Sequence, residues 1–137
     1  MSSQNASVAA LGRLLIATIF LISGLGKIAA PVATQGYIAA TGLPAPMLGY
    51  ALAIAVEVIG GTLLVLGYRA RLVATGLALF SVATAIFFHA HFADQNQMIH
   101  FLKNIAIAGG LLQIVAFGGG AWSMDARRGA GRPALAV

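Results

Sequence analysis

The sequence predicts an all-α polytopic membrane protein, an antiparallel bundle of four transmembrane helices with a short interfacial helix between the first two. Three observations carry that expectation. Of 137 residues, 60% are apolar and only 8% are charged, against about 25% charged in an ordinary soluble domain. The apolar residues gather in four runs of about 20 residues, the length of helix that spans a hydrocarbon core roughly 30 Å thick. The runs also lack the strict alternation that the roughly 10-residue strands of a membrane barrel require. A soluble fold needs polar surface to cover its core, and three acids (Glu57, Asp94 and Asp125) with eight bases do not supply it.

The first run covers residues 8–28. Residues 1–10 are polar and uncharged, unlike the basic start of a secretory signal peptide, so this run is expected to persist as a helix. Pro31 follows it, and residues 32–41 (VATQGYIAAT) are long enough for an interfacial helix with Tyr37 in the headgroup layer. Gly42, Pro44 and Pro46 lead into the second run, 47–67, because proline is tolerated where a helix begins. Tyr68-Arg69-Ala70-Arg71 reads as a tight turn, and the third run, 72–92, finishes on His89 and His91. A polar turn at 93–98 (ADQNQM) precedes the fourth run, 99–121. One domain thus occupies residues 1–125, and residues 126–137 form a basic tail rich in Gly, Ala and Pro that is expected to be flexible.

Four spans place both termini and the Arg69/Arg71 turn on one face. That face holds Arg69, Arg71, Arg127, Arg128 and Arg132, whereas the other has Lys27 at its edge. Because short cytoplasmic loops hold the excess of Lys and Arg, both termini are expected in the cytoplasm, with Trp122 in the aromatic belt. The net charge is +5, but its bases are dispersed, unlike the clustered face of a nucleic-acid binder. No nucleic-acid partner is expected, and membrane lipid headgroups supply the counter-charge. The absence of cysteine removes disulfides, dithiol redox chemistry, thiolate metal ligation and c-type haem attachment.

Glu57 lies about ten residues from either end of the second run, near the bilayer midplane, where an ionisable group is costly unless partnered or protonated. Ala53 and Gly61 share its face, so it should point into the bundle. Depth counting gathers Lys27, His89, His91, His100, Lys103 and Asn104 in the outer half, with Glu57 roughly 8–10 Å below Lys103 and within reach of that long side chain. Ser23/Lys27 and His100/Asn104 are i, i+4 pairs that can share a bundle-facing side.

An outward-opening polar pocket follows, with Glu57, His89, Lys103, Asn104, Lys27 and Ser23 as ligand-binding or proton-relay candidates. No catalytic residue is identified. Two plainer readings compete: Glu57 ties helices together through one hydrogen bond, and Lys27, His91 and His100 snorkel to the interface. Arg13, about one turn into the first helix from the other side, either snorkels or reaches towards Glu57 or a C-terminal helix end. With Arg69, Arg71, Arg127 and Arg128 it is assigned to helix tying or topology. His89 and His91 are two apart and cannot face one way on a helix, so no metal site is expected.

The segments GRLLIATIFLISGLGK (12–27), EVIGG from Glu57, LGYRARLVA (66–74), FFHAHF (87–92), FLKNIAIAGGLL (101–112) and WSMD (122–125) resemble the DoxX family of bacterial inner-membrane proteins. Their order and spacing extend the resemblance over nearly the whole chain. It implies a four-helix inner-membrane protein whose family-like polar positions are Arg13, Ser23, Gly24, Lys27, Glu57, Arg71, His89, Lys103, Asn104 and Asp125. Named members are similar to subunits of thiosulfate:quinone oxidoreductase and to membrane partners of redox and sulfur-stress proteins, while most have no assigned activity. The resemblance therefore implies a small-molecule or quinone-binding subunit of a membrane redox system, an accessory rather than a self-sufficient oxidoreductase. No intrinsic cofactor is expected. A quinone or lipid would be the bound ligand, a protein partner would carry the redox centre, and homo-oligomerisation stays open. A non-catalytic scaffold that recruits a redox or stress partner, and a proton-coupled small-solute carrier, are the alternatives.

Overall fold

The computed structural model describes residues 2–130, and all their regular structure is helical. Helix α1 (Ser3–Ala29) starts five residues before the apolar run because the Ser2 hydroxyl accepts the N–H of Asn5 at 3.4 Å, a side-chain N-cap. Its other end is closed by the Tyr50 hydroxyl, which donates to the Lys27 carbonyl at 3.1 Å. Pro31 then opens the short helix α2 (Pro31–Ala40). Tyr37 fixes α2 to the bundle: its hydroxyl donates to the Phe88 carbonyl at 3.3 Å, and its ring stacks on Phe88 with centroids 5.5 Å apart.

Helix α3 (Pro46–Leu66) is the second span. Its middle, Ala55–Ile59, is a π-helical turn with Glu57 at its centre. Such turns widen the backbone locally and recur at functional sites; nothing in the composition of residues 55–59 announces this one.

Helix α4 (Ala70–Phe88) is the third span, and it begins and ends earlier than the apolar run 72–92. Asp125 explains the start. Its two carboxylate oxygens accept the N–H groups of Arg69 and Ala70, each at 2.7 Å, satisfying donors that a helix N-terminus leaves unpaired. At the other end His89 has left helical geometry with φ −131°, so His89 and His91 belong to the following turn and do not finish the helix.

Helix α5 (Gln95–Phe117) takes up most of the expected polar turn, because the Asp94 side chain caps it by accepting the N–H of Asn96 at 2.8 Å. It stops short of residue 121 at Gly118-Gly119-Gly120, where Gly118 and Gly120 both adopt φ +83°, a left-handed geometry that suits glycine. Helix α6 (Met124–Ala130) follows. The expected flexible tail of 126–137 is therefore helical through residue 130. Residues 131–137, with Arg132, lie outside the described residues.

The spans α1, α3, α4 and α5 are each long and apolar enough to cross a membrane. Their buried core is built from small and medium residues, among them Ala17, Leu64, Ala74, Leu77 and Leu111, which lets backbones approach closely in lipid. Leu15, Leu79 and Leu112 face outward instead, as an acyl-chain solvent requires and a water solvent would penalise.

One close approach sets the geometry of the site. A Cβ on Gly24 of α1 would lie 2.7 Å from Val58 Cγ2 and 3.1 Å from Glu57 Cβ, so Gly24 admits the π turn of α3. Gly24→Ala is expected to destabilise the bundle by about 1–3 kcal/mol through overpacking. Thermal unfolding in mild detergent measures this, and an unchanged midpoint would mean that the helices slide apart freely.

Candidate functional site

Residues Ser23 and Lys27, one turn apart on α1, face the π turn across the gap that Gly24 leaves. Lys27 Nζ donates to Glu57 Oε2 at 2.8 Å, to Glu57 Oε1 at 2.9 Å and to Ser23 Oγ at 2.8 Å, while the Ser23 hydroxyl donates to Glu57 Oε1 at 3.0 Å. This is the one ion pair among the described residues, and Glu57 within it is only 4% exposed. A buried carboxylate is tolerated when a counter-charge and hydrogen bonds replace its hydration, and both are present.

Two readings left open by the sequence are decided here: Glu57 pairs with Lys27 and not with Lys103, which depth alone put within reach, and Lys27 turns inward instead of snorkelling. Height alone favours Lys103, but lateral packing decides: α1 packs on the π turn, whereas α5 packs along α4. Lys103 Nζ instead lies 3.0 Å from His100 Nδ1, and Asn104 Nδ2 donates to the His100 carbonyl at 2.9 Å. His89 Nδ1 is 3.0 Å from Gln97 Oε1, and its ring centroid is 5.0 Å from that of His100.

A cavity of about 530 Å³ joins these groups, a size usual for small-molecule sites, roughly 300–1,000 Å³. All six residues expected to form a pocket line it: Ser23, Lys27, Glu57, His89, Lys103 and Asn104. His91 and His100 do not; both are exposed. Three aromatic residues, Phe20, Phe80 and Phe88, supply apolar wall, and α2 contributes Thr34, Tyr37 and Ile38. Those α2 contacts, the aromatic wall and the Gln97 partner of His89 were not visible in the sequence. Tyr37 carried a signal, but one that pointed to the headgroup layer.

Chemically the cavity is divided. The charge of Lys27 is matched by Glu57, whereas Lys103 has no carboxylate partner among the described residues. Donor capacity for a ligand is therefore concentrated on Lys103 and Asn104, and groups able to exchange protons, Glu57 and His89, line the same space.

At the opposite end Arg13 is 4% exposed. Its guanidinium donates to the carbonyls of Val65 (Nε at 3.4 Å, Nη2 at 3.3 Å), Trp122 (Nη2 at 2.9 Å) and Gly119. It neither snorkels nor reaches Glu57; it joins the end of α3 to the loop after α5. Arg69, Arg71, Arg127 and Arg128 are all exposed. The Arg128 side chain, by hydrogen bonding first and by charge second, together with the charge of Arg69, holds the Tyr68 hydroxyl below the usual tyrosine range because cations favour the phenolate.

Comparison with known proteins gives a consistent picture. The chain matches the family model described as DoxX over residues 8–90. It is 38% identical over 113 residues to the inner membrane protein YqjF of Escherichia coli (strain K12), covering 82% of this chain and 85% of that protein. It is 35% identical over 123 residues to the inner membrane protein YphA of the same organism, covering 85% of this chain and 87% of that protein. No solved structure matches it. The matched family segment contains Ser23, Lys27, Glu57 and His89, while Lys103 and Asn104 lie beyond it.

Proposed function

This chain belongs to the DoxX family of integral inner-membrane proteins, and we propose that it serves there as the ligand-binding subunit of a membrane redox system, taking a planar-headed amphiphile of the quinone class between its spans. The observation that carries this reading is the cavity of about 530 Å³ in which polar side chains from all four spans, that of α4 being Thr84, meet an aromatic wall. The residues fit such a ligand. A quinone head presents carbonyl acceptors, for which Lys103 Nζ and the second N–H of Asn104 are donors. The rings of Phe20, Phe80 and Phe88 suit a planar ring.

Within the cavity the chain's own tasks are binding, orientation and proton handling. Lys103 and Asn104 hold the polar head, α2 covers it, and Glu57 and His89 hold or release protons close by. The quinone supplies two-electron chemistry when bound, and a protein partner carrying a redox centre delivers the electrons. The arginine end lies in the cytoplasm, in keeping with the rule for short loops, so the cavity opens towards the other side. The names of the two relatives support the inner-membrane location and say nothing of a ligand.

The test is direct. Protein purified in mild detergent is extracted and its bound organic molecules are identified by mass spectrometry, and a short-tailed quinone analogue is titrated back. Wild type should retain quinone, and Lys103→Ala and Asn104→Ala should each weaken the analogue by about tenfold, near 1.4 kcal/mol. Absence of both retained quinone and saturable binding would sink the reading. Intact partner association in every cavity variant would then favour a scaffold, and Glu57-dependent proton uptake into liposomes would favour a carrier.

A further inference from the structure

The end of the bundle remote from the cavity carries a second arrangement that the proposed function does not use. Arg69 and Arg71 flank the start of α4, and Arg127 and Arg128 lie on α6, all exposed. The carboxylate at this end, Asp125, lines surface concavities with Arg69, Arg71 and Arg128, and both of its oxygens are already engaged by backbone N–H groups at 2.7 Å. None of these four arginines takes part in an ion pair among the described residues.

Two of the arginines line a shallow concavity of about 640 Å³ together with Leu72, Phe117, the glycine loop 118–120 and Asp125, whose carboxylate is turned to the backbone N–H groups of Arg69 and Ala70. Arg71 lies over that loop, since a Cβ on Gly118 would come within 3.6 Å of its Nε. Arg128 is turned elsewhere, its guanidinium 4.9 Å from the centre of the Tyr68 ring. Leu72 and Phe117, 64% and 79% exposed, stand where α4 enters and α5 leaves the apolar layer. Guanidinium groups above an apolar lip complement a phosphodiester above acyl chains: the guanidinium fork matches phosphate oxygens, and basic pockets between membrane helices take anionic headgroups.

We propose that this concavity binds one anionic phospholipid, its phosphate held between Arg69 and Arg71 beside the glycine loop and its acyl chains running past Leu72 and Phe117. The apolar lip selects a lipid over free phosphate, which would use the charge alone. The site rests on residues separate from the cavity and stands whether or not a quinone binds there.

The test uses native mass spectrometry of the full chain in detergent, titrated with phosphatidylglycerol or phosphatidylcholine. Phosphatidylglycerol is expected to bind in preference, and the double variant Arg69→Gln/Arg71→Gln should weaken it by about tenfold. The double variant Arg127→Gln/Arg128→Gln removes the same charge and should weaken it by less than about threefold. Because the backbone N–H of Arg69, not its side chain, meets Asp125, the helix cap survives the first pair, and unchanged circular dichroism verifies this. Equal losses in both double variants would reduce the site to diffuse charge and overturn the proposal. Equal binding of phosphatidylcholine, or displacement of the lipid by millimolar inorganic phosphate, would overturn it as well.

Discussion

Lys27→Met is expected to destabilise the bundle by about 3–5 kcal/mol, the cost typical of removing one partner from a buried ion pair. Methionine keeps the length and apolar stem of lysine, so packing is largely spared and the loss isolates the charge. What remains is Glu57, 4% exposed, with Ser23 as its surviving side-chain donor. The partner variant Glu57→Leu strands Lys27 instead, more mildly, because the Lys27 side chain is 25% exposed and can turn towards the interface. The double variant Lys27→Met/Glu57→Leu should recover most of the stability, since an apolar pair replaces two desolvated charges. Equilibrium unfolding in mixed micelles gives all corners of this cycle. If the single and double variants unfold alike, the two charges are not coupled and the cavity floor is held by packing alone.

That cycle also shows which parts of the molecule were legible in the sequence. Glu57 pointing inward was legible, because a carboxylate among Ala53 and Gly61 at mid-span has few other places to go. The convergence of Ser23, Lys27, His89, Lys103 and Asn104 followed from the same cost. The identity of its partner was not legible. Depth along a helix says nothing about which helix stands beside it, and the contact depends on Gly24 and on a π turn that the composition of residues 55–59 does not announce. Hydropathy found the four spans yet misjudged their ends, because ends are set by capping. Asp94 caps α5 from within the stretch expected to be a turn, and Asp125 caps α4 from 55 residues away. The early stop at Phe88 in turn moved His89 off the helix and onto Gln97, a contact that helical periodicity could not suggest.

Arg13→Met is expected to cost about 3 kcal/mol or more, since a hydrogen bond from a charged donor contributes about 1.5–3 kcal/mol and this guanidinium makes several. The carbonyls it serves have no easy substitute. Val65 lies in the last turn of α3, where helical partners run out, and Gly119 and Trp122 belong to the loop that brings Asp125 onto α4. Loss of Arg13 should therefore also loosen the cap on α4 at a distance, which faster amide exchange at Arg69 and Ala70 would reveal. Arg13→Lys is the informative control. A lysine keeps the charge, but its single ammonium cannot span three carbonyls that a planar fork reaches together, so it should restore less than half of the loss. Were the lysine variant to match wild type in both unfolding and exchange, charge at the membrane interface would suffice, and the guanidinium would be an ordinary topology signal after all.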